Sequence, residues 1–188
     1  MAPRARNSDV DILEATLDVI AEHGISRTTV DTVAERAGMS RATIYRHWGS
    51  RAKLIHAALS SLEGPYVETP GESLREDLAI LLWHLVEYFN RHDIGRIFPS
   101  LIDAAVRDPE LAELHRERMR RGRASFEEVV LRAIERGELS ADVDVDLLVD
   151  VVRAPFIYRR VVAQLPVATE DIDAVLDLVL GAFSRVQN

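Results

Sequence analysis

Cysteine is absent from the 188 residues, which excludes disulfides, thiol nucleophiles and thiolate metal sites. The six histidines are scattered and show no metal-ligand spacing, so no metal and no cofactor is expected. No apolar run reaches 18 residues, and the opening MAPRARNSDV lacks the apolar segment of a secretory signal. A membrane partner is not expected, and the expected location is the cytoplasm. There is no phosphate-binding glycine loop and no nucleophile motif, which argues against an enzyme. Proline (7) and glycine (9) are few enough that each one punctuates the chain.

Hydrophobic residues make up 47% and charged residues 29%, the balance of a folded globular chain. Net charge is -8, which by itself disfavours nucleic acid, but its distribution is uneven. Residues 1–62 carry eight basic and seven acidic side chains, and the remainder carries fifteen against twenty-four. Between Arg36 and His56 there are five basic residues and no acid. A local positive patch on an acidic protein favours one docking orientation on a polyanion.

That patch lies in Thr28 to Lys53, TTVDTVAERAGMSRATIYRHWGSRAK. Val30 to Ala37 favours helix, with Val30, Val33, Ala34 and Ala37 on one side and Thr28 or Thr29 as cap. Gly38 and Met39 then interrupt, and Ser40 is a good cap for a second short helix ending at His47 or Trp48. Ile44 and Trp48, four residues apart, face the core, which leaves Arg41, Thr43, Arg46 and His47 facing outward. The pattern is that of a helix-turn-helix, whose second helix fits the major groove of double-stranded DNA. Arg41 is the best candidate for a guanine edge, and Thr43 suits a base through its hydroxyl or methyl. Tyr45 and His47 suit phosphates, and Arg46 suits either role. Arg51 and Lys53 begin the next helix, where side-chain charge joins exposed amide donors. Thr28 and Thr29 are placed to reach the other side of the groove, and Ser40, primarily a cap, completes the expected DNA-binding set.

Around this stretch the chain reads as all-α. Residues 1–7 form an arm without apolar periodicity. Asn7 or Ser8 caps a first helix with a Val10, Leu13, Leu17, Ile20 stripe that Gly24 stops. A fourth helix carries Leu54, Ala58 and Leu62. Glu63 to Gly71, with two Gly and two Pro, reads as a linker between an amino-terminal domain (1–62) and a carboxyl-terminal one (72–188). Helices are then expected over Ser73 to Asn90, over Ile94 to Val106 with a bend at Pro99, and from Asp108-Pro109 to Gly137. A further helix from Asp142 or Asp144 to about Gln164 should kink at Pro155. The last, capped by Thr169, has acids in its first turn. The final two helices offer more apolar surface than one packing contact needs, through Val151, Val152 and Phe156 on one and Ile172, Leu176, Val179, Leu180 and Phe183 on the other. Burial against a second copy of the chain is the expected use, making a homodimer with two recognition helices and a roughly palindromic operator.

The segment GISRTTVDTVAERAGMSRATIYRHWGSRAKLI resembles the amino-terminal domain of TetR/AcrR-type transcriptional regulators, with the likeness running over about residues 8–62. TTVDTVAERAG, MS and TIYRHWGSRAKL carry it. Thr43, Tyr45 and His47 match positions that face DNA in that family, while Trp48 stands where Phe is commoner and Ala52 where an acid is frequent. The resemblance implies an amino-terminal helix-turn-helix domain followed by a helical ligand-binding and dimerisation bundle. It also implies a repressor released from DNA when a small-molecule effector binds. For this chain Trp83, His84, Tyr88, Phe98, Leu101, Ile102, Phe126, Val130, Phe156 and Tyr158 would line a mostly apolar pocket, and a hydrophobic or aromatic effector is expected. A bundle core without a pocket, serving only to dimerise or to bind a protein partner, remains the alternative.

Overall fold

A computed structural model describes residues 8–62, 67–91 and 94–184. Among the described residues there are nine α-helices and no strand. They are α1 (Ser8–His23), α2 (Val30–Ala37), α3 (Arg41–Trp48), α4 (Arg51–Ser60), α5 (Leu74–Arg91), α6 (Ile94–Arg107), α7 (Pro109–Glu135), α8 (Val145–Ile157) and α9 (Asp171–Ser184). A 3-10 turn (Ile25–Arg27) follows α1, and a π-helical turn (Tyr158–Val162) prolongs α8. The arm at 1–7 and much of the expected linker lie outside the described residues.

The chain divides into two compact units, one holding segments 1–64 and 96–116 and the other 65–95 and 117–188. The expected single boundary at 63–71 therefore does not describe the packing. Ile97, Leu101 and Ala104 of α6 and Leu111 of α7 share a buried cluster with Ile20, Ile25, Ala52, Ile55 and Leu59. Their apolar surface belongs to the first unit, and burying it there outweighs the order of the chain. A second cluster in this unit joins Ile12 and Val19 of α1 to Val30, Val33, Ala34, Ile44 and Leu54. Because α1 packs on both α2 and α4, its buried face is wider than the expected stripe and shifted from it. Ile12, Ala15, Thr16, Val19 and Ile20 are buried, whereas Val10 is 48% exposed.

In the second unit α9 packs on α5 and α8. Leu78, Leu82 and Val86 of α5, Val129 and Val130 of α7, Leu148, Val152 and Phe156 of α8 and Leu176 of α9 are buried there. Fully buried Asp77 accepts from the Gly71 amide at 2.9 Å and pairs with Arg132 at 3.3 Å, so its charge is compensated. Arg75 ties α5 to α9 through Asp173 at 2.8 Å and Asp177 at 2.7 Å.

Both prolines lie inside α-helices that run on past them. Pro99 has no amide to offer the Gly95 carbonyl one turn back, and the Gln164 side-chain amide donates to that oxygen at 2.8 Å instead. At Gly95 a Cβ would come within 3.2 Å of the Arg160 carbonyl oxygen, a tight contact that glycine avoids where the π-helical turn approaches. The expected single helix through Gln164 ends as an α-helix at Ile157, two residues after Pro155, and closes with the Ala163 amide donating to Tyr158 at 2.9 Å. Asp144 caps α8 through the Leu147 amide at 3.0 Å, and Asp108 caps α7 through the Glu110 amide at 3.0 Å. The last helix starts at Asp171, and the Thr169 hydroxyl donates to Glu170 rather than capping it.

Candidate nucleic-acid interface

Three caps position the helix-turn-helix. Thr29 and Thr32 form a reciprocal capping box at α2: the Thr32 amide donates to the Thr29 hydroxyl at 3.1 Å and the Thr29 amide to the Thr32 hydroxyl at 3.0 Å. Gly38, with φ of 65° in the left-handed region, ends α2 and lets the Met39 amide reach back to the Ala34 carbonyl at 3.0 Å. Ser40 accepts the Thr43 amide at 3.1 Å and so starts α3. Ser50 accepts the Lys53 amide at 3.1 Å and starts α4. The buried side of the motif is Val30, Val33, Ala34 and Ile44, with Ala37, Met39 and Trp48 partly buried against them.

Seven of the expected DNA-facing residues are exposed: Thr29, Ser40, Arg41, Tyr45, Arg46, His47, whose side chain alone is 31% exposed, and Lys53. Thr43 is half-buried. The hydroxyls of Ser40 and Thr43 are 2.9 Å apart, so Thr43 is held by the cap. Arg41 is held too, its Nε 2.8 Å from Asp31, and His47 Nδ1 lies 2.9 Å from Asp9. Nothing in the sequence marks Asp31 or Asp9 as a partner of these side chains. Each sits on a different helix from its partner, and only the tertiary fold makes those pairs.

Two expected contact residues face inward. Thr28 is fully buried and donates its hydroxyl to the Gly24 carbonyl at 2.9 Å, so its side chain cannot reach a groove. Arg51 donates through Nε to the Thr28 carbonyl at 2.5 Å and through Nη2 to the Ile25 carbonyl, and its Nη1 lies 3.7 Å from Asp108. Its charge is spent on tying the turn before α2 to the starts of α4 and α7. Ser100 does related work, accepting the Ile25 amide at 2.7 Å. Ser50 donates to Glu110 at 2.7 Å, which joins the start of α4 to α7 a second time.

The expected effector lining divides between the two units. Leu101 fills the first unit's core, Phe98 is half-buried there with its ring 5.9 Å edge-on from His115, and Ile102 is 43% exposed. In the second unit Phe126, Val130 and Phe156 are buried and Tyr88 is half-buried, accepting from Arg118. Trp83, Tyr158 and His84 face outward, with Trp83 and His84 packed edge-on at 5.0 Å.

Of the expected dimer residues, Val152, Phe156, Ile172, Leu176 and Val179 are buried inside the second unit, and Leu180 and Phe183 are half-buried. Val151 is exposed. The outward apolar stripe is instead Leu147, Val151, Ala154 and Tyr158 along α8 and its extension, with Ala174, Leu178 and Ala182 along α9. Leu178 is 76% exposed. Among the described residues no group of His, Asp and Glu could hold a metal ion, and no helix is long and apolar enough to cross a membrane.

A capped two-helix motif with cationic, hydroxyl and aromatic side chains on the open face of its second helix defines a DNA-binding protein of the helix-turn-helix class. Comparison with known proteins narrows the class. Residues 12–58 match the family described as bacterial regulatory proteins, tetR family, and residues 69–179 match the tetracyclin repressor-like C-terminal domain. The chain is 32% identical to the uncharacterized HTH-type transcriptional regulator YdeS of Bacillus subtilis, over 98% of this chain and 92% of that one. It is 31% identical to the DNA-binding transcriptional repressor TetR of Mycobacteroides abscessus, over 85% of each. The structure of the regulator FadR from Bacillus subtilis in complex with stearoyl-CoA shares its fold, with a TM-score of 0.67 at 16% identity, covering 91% of this chain and 97% of that one. The protein belongs to the TetR family of transcriptional regulators, which are not enzymes, which bind DNA as dimers, and some of which bind small-molecule effectors.

Proposed function

We propose that this protein is a ligand-responsive repressor that binds a palindromic operator as a homodimer and leaves it when a small hydrophobic or aromatic effector binds the carboxyl-terminal unit. The observation that carries the DNA half of this reading is the outward set on α3 and α4: Arg41, Tyr45, Arg46 and Lys53 are exposed while Ile44 is buried behind them. Arg41 and Thr43 are the base readers, oriented by Asp31 and Ser40 respectively. Tyr45, His47 and Lys53 are the phosphate anchors, and Arg46 serves either role. Thr29 and Ser40 place amide-rich helix starts beside the backbone. Arg51 acts through the placement of α4.

One recognition helix gives limited specificity, and a two-fold dimer supplies the second. The stripe Leu147, Val151, Ala154 and Tyr158 recurs at helical spacing, and with Ala174, Leu178 and Ala182 it offers a second copy an apolar face backed by the buried Val152, Phe156, Leu176 and Val179. The relative named as a repressor favours repression, and the fold neighbour solved with stearoyl-CoA favours a ligand in the second unit. An effector acts only by binding one dimer arrangement better than the other.

Selection of bound fragments from the source genome, followed by footprinting and by effector titration of the protein–DNA complex, tests the proposal. The expected result is a two-fold symmetric site released by ligand. Binding that ignores sequence and vanishes with modest salt would contradict it.

A further inference from the structure

The second unit buries an arginine on α8. Arg153, on the inner side of α8, is only 8% exposed. Among the described residues no carboxylate pairs with it, and its Nε–H has no acceptor. The acids that act on it, Glu127 and Asp150, are already engaged: Arg123 pairs with Glu127 at 3.0 Å and with Asp150, and also with Asp146 at 2.9 Å. Burial pulls the Arg153 guanidinium below its ordinary value, the Arg123 charge adds to that effect, and Asp150 and Glu127 oppose it from a distance. A buried cation normally has an anion against it, because desolvation without a partner is costly.

The surroundings say what that anion is. One face of the guanidinium is covered by the Phe126 ring, whose centroid lies 5.2 Å from Cζ. Its Nη2 lies 3.7 Å from where a Cβ on Gly122 would stand, and Gly122 itself is exposed in mid-helix. Nε and Nη2 form the side-on edge of a guanidinium, the edge that grips both oxygens of a carboxylate at once. Here that edge carries the unpartnered N–H and faces the one position on α7 that has no side chain. Arg118, Gly122 and Phe126 lie in one row on α7. Val130, Val152 and Phe156 are among the buried apolar residues of the same helices.

We propose that Arg153 is the anion-binding residue of the effector domain, and that the effector is a small organic carboxylate with an aromatic or aliphatic body, gripped through Nε and Nη2 beside Gly122. This rests on the effector reading above and narrows its ligand class from hydrophobic to amphipathic and acidic.

The test uses the full-length protein with two acid and amide pairs, 1-naphthoate against 1-naphthamide and 4-phenylbutanoate against 4-phenylbutanamide. Binding is followed by calorimetry, and operator release is read in parallel. Each acid should bind at least about tenfold tighter than its amide. Arg153→Met should erase that preference. Gly122→Val, which leaves the charge in place and fills the gap against Nη2, should weaken the acids selectively and covers the case in which Arg153→Met fails to fold. Equal binding of acid and amide, binding of neither, or an acid preference that survives Arg153→Met overturns the anion site. Release of operator by acid and amide alike would leave the effector reading standing without the anion site. Arg153-dependent acid binding that leaves the operator occupied would keep the anion site and sink ligand-responsive repression.

Discussion

Arg41, Lys53 and Arg51 are cations within thirteen positions of one another, and their surroundings differ. Arg41 is exposed and oriented by Asp31, which suits a guanidinium that exchanges one planar acceptor for a base edge. Arg41→Ala should therefore relax sequence preference at one operator position by about 1–3 kcal/mol, measured by competition among variant sites. Lys53 is exposed at the start of α4. Its replacement by Ala should weaken all sequences alike and reduce the salt slope by about 1. The opposite pattern in those competitions would overturn the division into readers and anchors. Arg51 holds two backbone carbonyls with charge-assisted bonds. Arg51→Met should lower the stability of the first unit by about 2 kcal/mol in denaturant unfolding. Unchanged stability with lost DNA affinity would return Arg51 to the phosphates.

At the scale of the element, short helices need their caps. The second and third helices have eight residues each, too few to persist in water on propensity alone. Each is fastened at its start by a hydroxyl, and α2 is closed by a left-handed glycine. Ser40→Ala should cost about 1 kcal/mol and speed amide exchange in the first turn of α3, with DNA affinity falling evenly across sequences. Exchange unchanged at Thr43 would show that the cap is dispensable. Helix α6 carries a different lesson. Its proline leaves an acceptor free, and a side chain just beyond the π-helical turn supplies the donor. Pro99 announces a defect in the sequence, but nothing in the sequence says that Gln164 repairs it.

For the whole molecule, charge and apolar surface are distributed by function. The amino-terminal stretch is nearly neutral and the remainder strongly acidic, so a polyanion meets least repulsion at the helix-turn-helix. The outward stripe on α8 and α9 is the corresponding apolar feature. Leu178→Glu places a charge at its most exposed large side chain without replacing the buried Leu176 and Val179. This variant should sediment as a folded monomer and lose operator affinity, since two half-sites no longer bind as one unit. A Leu178→Glu protein that remains dimeric would move the interface elsewhere.

Local chemistry made much of this protein legible from its residues. Apolar spacing, Ser40 as cap, Gly24, Gly38 and Gly137 as stops, and the acid-free basic run all act within a few positions, so helix order and the recognition motif follow from sequence. The tertiary structure decided matters that depend on partners far along the chain. It turned Thr28 inward and gave Arg51 to two carbonyls. It drew α6 into the first core and set which side of α8 and α9 is open. It also buried Arg153 while Arg123 took the neighbouring acids. Helical periodicity reports how wide an apolar face is, but which part of that face is covered depends on where the other helices come to rest.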